Sequence, residues 1–167
     1  AMAVHDIYAE LGIGRRINAA GTLTRLGGAL MAPEVVEAMA QAAGASVDIA
    51  ELQAAASRRI AMATGAQAGL VTSGAAAALT LAAAACMTRW DVERMSALPH
   101  AEAFPHQILL HRSQRTGYSR AFEAAGARLV DFGHNDRTTG AGVRGIEPWE
   151  IEAAITENTA ALAFSAT

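Results

Sequence analysis

From Ala68 to the end of the chain, short apolar runs alternate with longer helix-forming stretches. That alternation restricts the fold more than any other feature. Ala68 to Thr72 reads as a buried strand, Gln107 to His111 as a second, Ala127 to Phe132 as a third and Thr159 to Ser165 as a fourth. Between them lie three helical stretches: Ala75 to Cys86, mostly Ala and Leu, then Tyr118 to Ala125, then Trp149 to Thr156 behind Pro148. One or two further turns are expected within Arg89 to Leu98, starting near Asp91. Strands separated by helices predict the α/β class, with a parallel sheet and right-handed crossovers. Ligands in such sheets sit at the carboxyl ends of the strands. Here those ends hold Thr72-Ser73-Gly74, His111 to Gln114, Phe132 to Asn135 and Ser165 onward.

The first of these strand ends is the most informative. Strand, tight turn and helix follow one another in Leu70-Val71-Thr72-Ser73-Gly74-Ala75-Ala76-Ala77. The first turn of a helix leaves backbone N–H groups unpaired, and the helix dipole puts partial positive charge there. Ser73 is expected to cap that turn and offer a hydroxyl, while Gly74 admits a ligand close to the backbone. The same residues serve equally as an ordinary capped helix, or as a cradle for a phosphate.

Upstream, Val4 to Leu11 reads as a short amphipathic helix and the glycine-rich Arg15 to Gly28 as an ordered loop. Pro33 opens a helix with Val35, Met39 and Ala42/Ala43 as its apolar stripe, closed by Gly44. Asp48 and Glu51 have the spacing of a capping box for a helix from Ile49 to Thr64, which Gly65 ends.

Composition excludes some function classes. The 167 residues carry a net charge of −3, with no basic excess to suggest nucleic acid. The longest apolar run, Ala75 to Met87, is too short to span a bilayer and suits a buried helix. No secretory signal is visible, and the single Cys86 reads as a small buried hydrophobe; both fit a cytoplasmic protein. There is no lysine: all 13 basic residues are arginine. Chemistry that needs a lysine amine cannot come from these residues.

Other candidate groups carry weaker signals. His100, His106 and His111 show no metal-ligand spacing, so no metal site is expected. His111 is better read as a neighbour of the site, at a strand end. Arg25, Arg112 and Arg115 could hold a carboxylate or phosphate, or simply face solvent. Ser73 lacks the GxSxG elbow of a Ser-His-Asp hydrolase, and the turn lacks GxGxxG for a dinucleotide. Trp90 and Trp149 are expected to pack against helices.

Several motifs, in order, are similar to those of a known family. Ile17-Asn18-Ala19-Ala20-Gly21-Thr22-Leu23-Thr24-Arg25-Leu26-Gly27-Gly28 and Val47-Asp48-Ile49-Ala50-Glu51-Leu52-Gln53 come first. Val71 to Ala77, Gly117-Tyr118 and Ala125 to Gly133 continue the match. They resemble the selenocysteine synthase-like family of fold type I pyridoxal 5′-phosphate (PLP) enzymes, nearest its D-glucosaminate-6-phosphate ammonia-lyase-like branch. The resemblance implies a three-layer α/β/α large domain over 47–167, incomplete here, preceded by an amino-terminal arm and helix over 1–46. It implies a PLP phosphate held by Thr72, Ser73, Gly74 and Ala75. It places Gln114 where relatives often carry a histidine stacked on the cofactor ring. Thr24, Arg25, His111, Arg112 and Arg115 fall near the substrate, an amino acid or amino-sugar acid. The implied chemistry is α-proton removal followed by β-elimination or replacement.

In that family an aspartate facing the pyridine nitrogen and a Schiff-base lysine lie downstream of the strand near Ser165. The resemblance therefore implies an amino-terminal portion of a longer enzyme, working as a homo-oligomer or with a complementary carboxyl-terminal chain. The alternative is an inert phosphate-binding or assembly module derived from that fold. Neither a nucleic acid nor a membrane partner is expected.

Overall fold

The computed structural model describes residues 6–133 and 146–166. The polar loop expected over Gly133 to Gly145 lies, beyond Gly133, outside the described residues. The chain divides into two compact units, Ala1–Leu52 and Gln53–Thr167.

In the first unit Asp6 caps α1 (Ile7–Glu10), accepting from the N–H groups of Tyr8 and Ala9. Its carboxylate also pairs with Arg15 at 3.0 Å. Partial desolvation pushes the Asp6 pKa up, but the Arg15 hydrogen bond and the two backbone donors outweigh it and hold the group below its ordinary value. Asn18 organises the following loop. Its amide donates to Gly21 O at 2.8 Å and Gly28 O at 2.9 Å, and its oxygen accepts from Ala20 N–H. A 3-10 turn, Thr24–Leu26, precedes α2 (Pro33–Ala43), which has Pro at its start and Gly44 at its end. Asp48 Oδ1 accepts from Ala50 and Glu51 N–H groups and starts α3 (Ile49–Thr64), which belongs to the second unit from Gln53 onward. No described residue of the first unit is buried; Val35 and Met39, the expected stripe of α2, are 46% and 55% exposed.

The second unit is built on β1 (Gln107–His111), β2 (Arg128–Phe132) and β3 (Thr159–Ala163). They form a parallel sheet in the order β2-β1-β3. β1 runs in register from Gln107↔Arg128 to His111↔Phe132, and its pairing with β3 shifts between Gln107 and Ile108. α4 (Ala75–Thr88), α5 (Val92–Ala97, capped by Asp91) and α6 (Arg120–Ala124) cover one face, and α7 (Pro148–Ala154) covers the other. Side chains alternate along β1, so Ile108 faces α4 and α6 while Leu109 and His111 face the opposite way. The core joins Ile108 to Ala83 and Met87 of α4, to Ala101 and Phe104, and to Ala125 and Ala127. Gly126 closes α6 at φ +96°, where a Cβ would overlap the carbonyl of Pro99.

The three later strands lie where the apolar runs place them; six expectations fail. Ala68–Thr72 forms no strand among the described residues, and α3 side chains take backbone groups there: Gln53 bonds both the N–H and the C=O of Val71, and Ser57 accepts from Gly69 N–H. Ser73 does not cap α4; the cap position is Gly74, at φ +104°, without a side-chain bond. α4 is not buried all round, since only a stripe through Ala83, Met87 and Thr88 is covered. Cys86 lies off that stripe and is exposed. Trp90 sits just past the left-handed end of α4, at φ 67°, and is 91% exposed rather than packed on a helix. The expected Tyr118 to Ala125 helix is preceded by a 3-10 turn, Gly117–Ser119, because Thr116 and Ser119 cap each other's backbone.

Leu109→Ala, at a fully buried site, should cost about 2–5 kcal/mol. Val35→Ala should cost under about 1 kcal/mol, both read from urea unfolding midpoints. The cap at Asp6 should be complete above 3.8, the ordinary aspartate value, and lost as the pH falls through the lowered one. The amide shifts of Tyr8 and Ala9 report that loss.

Candidate functional site

Parallel strands bring their carboxyl ends to one edge, and three of the expected positions meet there. β1 ends in His111, buried at 3% exposure and in edge-to-face contact with Phe132 across the β1–β2 pairing, ring centroids 5.5 Å apart. Its Nδ1 lies 2.7 Å from the Ser113 hydroxyl and accepts from Ser113 N–H at 3.4 Å. Nε2 lies against Gly133, where a Cβ would overlap the ring. Gly133 at φ +77° is therefore required twice, by conformation and by space.

Next comes a 3-10 turn, Arg112–Gln114. The Gln114 side chain crosses to the end of β3. Its Nε2 donates to Ser165 O at 3.0 Å and its Oε1 accepts from Ser165 N–H at 3.1 Å. This continues the β1–β3 pairing by one side-chain amide. Two largely apolar cavities flank the clasp, one on each face of the sheet. The first, of about 370 Å³, is lined by Leu79, Leu110, Gln114, Tyr118, Phe122 and Phe164, among others. The second, of about 470 Å³, includes His111, Phe132, Ile151 and Leu162, and shares Gln114 and Phe164 with the first.

The α4 amino end supplies the polar part. Gly74 O accepts from Ala78 N–H at 3.1 Å, so the N–H groups of Ala75, Ala76 and Ala77 have no partner within the helix. With no side-chain cap and open space where a Gly74 Cβ would stand, this end is accessible to an anion. The Thr72 hydroxyl donates to Gly74 O at 3.0 Å, so its proton is committed to the turn. Ser73 is exposed and its hydroxyl is free to donate outward. Leu79, one helical turn from Ala75, is among the residues that line the first cavity.

The arginines divide. Arg115 is tied to Asp131 at 2.8 Å and to Glu123 at 3.7 Å, which occupies it structurally. Arg112 is exposed without an ion-pair partner among the described residues. Thr24 and Arg25 lie in the 3-10 turn of the first unit. The sequence gives no individual role to Phe132 and Gly133, which seat His111, or to Tyr118 and Phe164, which wall the cavity.

No protein-family model matches the chain. D-glucosaminate-6-phosphate ammonia lyase of Salmonella typhimurium (strain 14028s / SGSC 2262) is 33% identical over 163 residues, covering 95% of this chain and 42% of that enzyme. A solved structure of D-glucosaminate-6-phosphate ammonia-lyase superposes with a TM-score of 0.85 at 32% identity, over 96% of this chain and 42% of that one. The chain is similar in sequence and fold to part of D-glucosaminate-6-phosphate ammonia-lyase. A 5′-C-glycyluridine monooxygenase-decarboxylase of a Streptomyces species is 31% identical over 162 residues, 94% of this chain and 39% of that enzyme. The chain thus spans about two fifths of the ammonia-lyase and of the decarboxylase. Among the described residues no helix is long and apolar enough to cross a membrane.

Gly133→Ala should displace the His111 ring and strain the backbone, costing about 1–3 kcal/mol for the conformation alone. A lowered melting temperature together with shifted His111 ring resonances would report it.

Proposed function

We propose that this chain provides the phosphate-holding side of a PLP site in a carbon–nitrogen lyase, or a related β-eliminating or replacing enzyme, acting on an amino acid or amino-sugar acid. The observation that carries the proposal is the uncapped amino end of α4, one helical turn before the cavity-lining Leu79, in a chain similar to part of D-glucosaminate-6-phosphate ammonia-lyase. Three N–H groups without a partner in the helix, the positive end of a 14-residue helix and a turn residue without a Cβ suit a phosphate dianion. Bound there, PLP would supply an electron-withdrawing ring to the substrate's α-carbon.

The chain's own residues have roles of holding and shaping. Ala75, Ala76 and the Ser73 hydroxyl bind the phosphate. Thr72 fixes the turn through Gly74 O. Gln114 holds the end of β3 against β1, so that it shapes the cavity wall and leaves its amide no freedom to swing. Leu79 and Phe164 keep water from the ring, and the His111 ring braces the opposite wall. Arg112 offers charge to an acidic substrate. The many exposed apolar side chains, Val36, Leu52, Met62 and Trp90 among them, favour assembly with further copies or a complementary chain.

The absence of lysine favours a second reading, a module that binds phosphate and carries out no chemistry by itself. The amine that would bond the PLP aldehyde has to come from outside these residues.

Titration with PLP, followed by its visible absorption, should show saturable binding that inorganic phosphate displaces. Borohydride treatment should leave no side-chain adduct, since there is no lysine. Gly74→Val, which forbids φ +104°, should weaken binding about tenfold or more. Unchanged affinity in that variant would refute the phosphate assignment. Sedimentation should give a mass above the 17.2 kDa monomer.

A further inference from the structure

We infer, on the reading of the α4 amino end as a phosphate site, that Gln53 is a positioning residue that sets the phosphate-binding turn. Gln53, Ser57 and Ile60 are spaced i, i+4 and i+7 and so share one face of α3. Each meets the segment that leads into the turn. The Gln53 amide donates to Val71 O at 2.7 Å and accepts from Val71 N–H at 3.2 Å. Ser57 Oγ accepts from Gly69 N–H at 3.0 Å. Ile60 fills the space where a Gly69 Cβ would stand, which brings helix and backbone into direct contact.

Gly69 and Val71 stand two residues apart and both turn their N–H groups to α3 side chains, so the α3 face seals that edge. The segment makes no strand pairing among the described residues, so these side-chain bonds do what a neighbouring strand would do. From Val71 the constraint passes on: Thr72 bonds Gly74 O, and Gly74 O receives Ala78 N–H. An unbroken series of contacts therefore connects α3 to the orientation of the Ala75 to Ala77 N–H groups. Donors aimed in advance bind an anion without the cost of ordering them at the moment of binding. The Ser57 bond is half-buried and those of Gln53 are exposed, so losing the latter should disturb the turn more than the global stability.

Gln53→Leu, Gln53→Glu and Ser57→Ala variants of the full chain test this against two probes, PLP and inorganic phosphate. Glu keeps an acceptor for Val71 N–H but loses the donor to Val71 O. Amide hydrogen exchange over Gly69 to Ala77, measured without ligand, should accelerate most in Gln53→Leu and less in the other two. Both probes should bind about tenfold more weakly to Gln53→Leu, with a melting temperature close to the parent's. If Gln53→Leu fails to fold, the graded exchange and affinity of Gln53→Glu and Ser57→Ala decide. Unchanged exchange at Ser73 to Ala76 overturns the inference, as does faster exchange with undiminished affinity. A parent chain that binds neither probe, while Gln53→Leu still exchanges faster, overturns the phosphate reading and upholds the setting of the turn by Gln53.

Discussion

The second unit depends on β1. Among the described residues it is the one strand paired on both edges, and Ile108 to His111 are buried on both faces. Full burial on two faces asks for a near-continuous apolar run, and Ile-Leu-Leu provides it. The parallel direction is what places the site. With all three strands pointing one way, His111, Phe132 and Ser165 arrive at the same edge, and the turn after β1 reaches across to β3 through Gln114. Weakening β1 would lose the sheet and the site together.

Side-chain amides recur wherever this chain lacks a strand to pair with. Asn18 binds two carbonyls and an N–H in the first unit's loop. Gln53 takes both backbone groups of Val71, and Gln114 both groups of Ser165. A carboxamide carries donor and acceptor side by side, as a peptide unit does, so it can stand in for one rung of a ladder. Each rung is worth only about 1 kcal/mol net, but each defines a geometry that the local propensity leaves open. Arg115 illustrates the contrast: its pairing with Asp131 and Glu123 is exposed to solvent and adds little stability, though it holds the guanidinium away from other partners.

Much of the architecture is legible in the sequence because burial leaves a pattern. The runs Gln107–His111, Arg128–Phe132 and Thr159–Ala163 stand out as strands, Pro33, Pro148 and Asp91 mark helix starts, and Gly44 and Gly126 mark helix ends. What local pattern misses is what depends on neighbours. Ala68–Thr72 has the composition of a strand, but a strand exists only with a partner, and here helix side chains take its hydrogen bonds. An alanine-rich helix reads the same whether one face or every face is covered, so the exposure of Cys86 was not visible, nor that of Trp90 beyond it. Of the site, the strand-end positions and the glycine turn could be read. The Gln114–Ser165 clasp could not, since it joins residues far apart in the chain, and nothing in the residue types shows that Thr72 spends its proton on Gly74 O.

The register of the sheet also bears on the order in which it can form. Gln107 meets Arg128 on one side and Thr159 on the other. The loop closed by the second pairing is more than twice as long as that closed by the first, and each doubling adds about 0.6 kcal/mol of closure entropy. α6 lies within the shorter loop and packs on both β2 and α4. The β1–α6–β2 unit is therefore the cheaper nucleus, and β3 joins an edge already made. The Gln114 clasp, which needs β3 in place, belongs to the last stage of folding, so the cavities on either side of it take shape only when the rest of the sheet is complete.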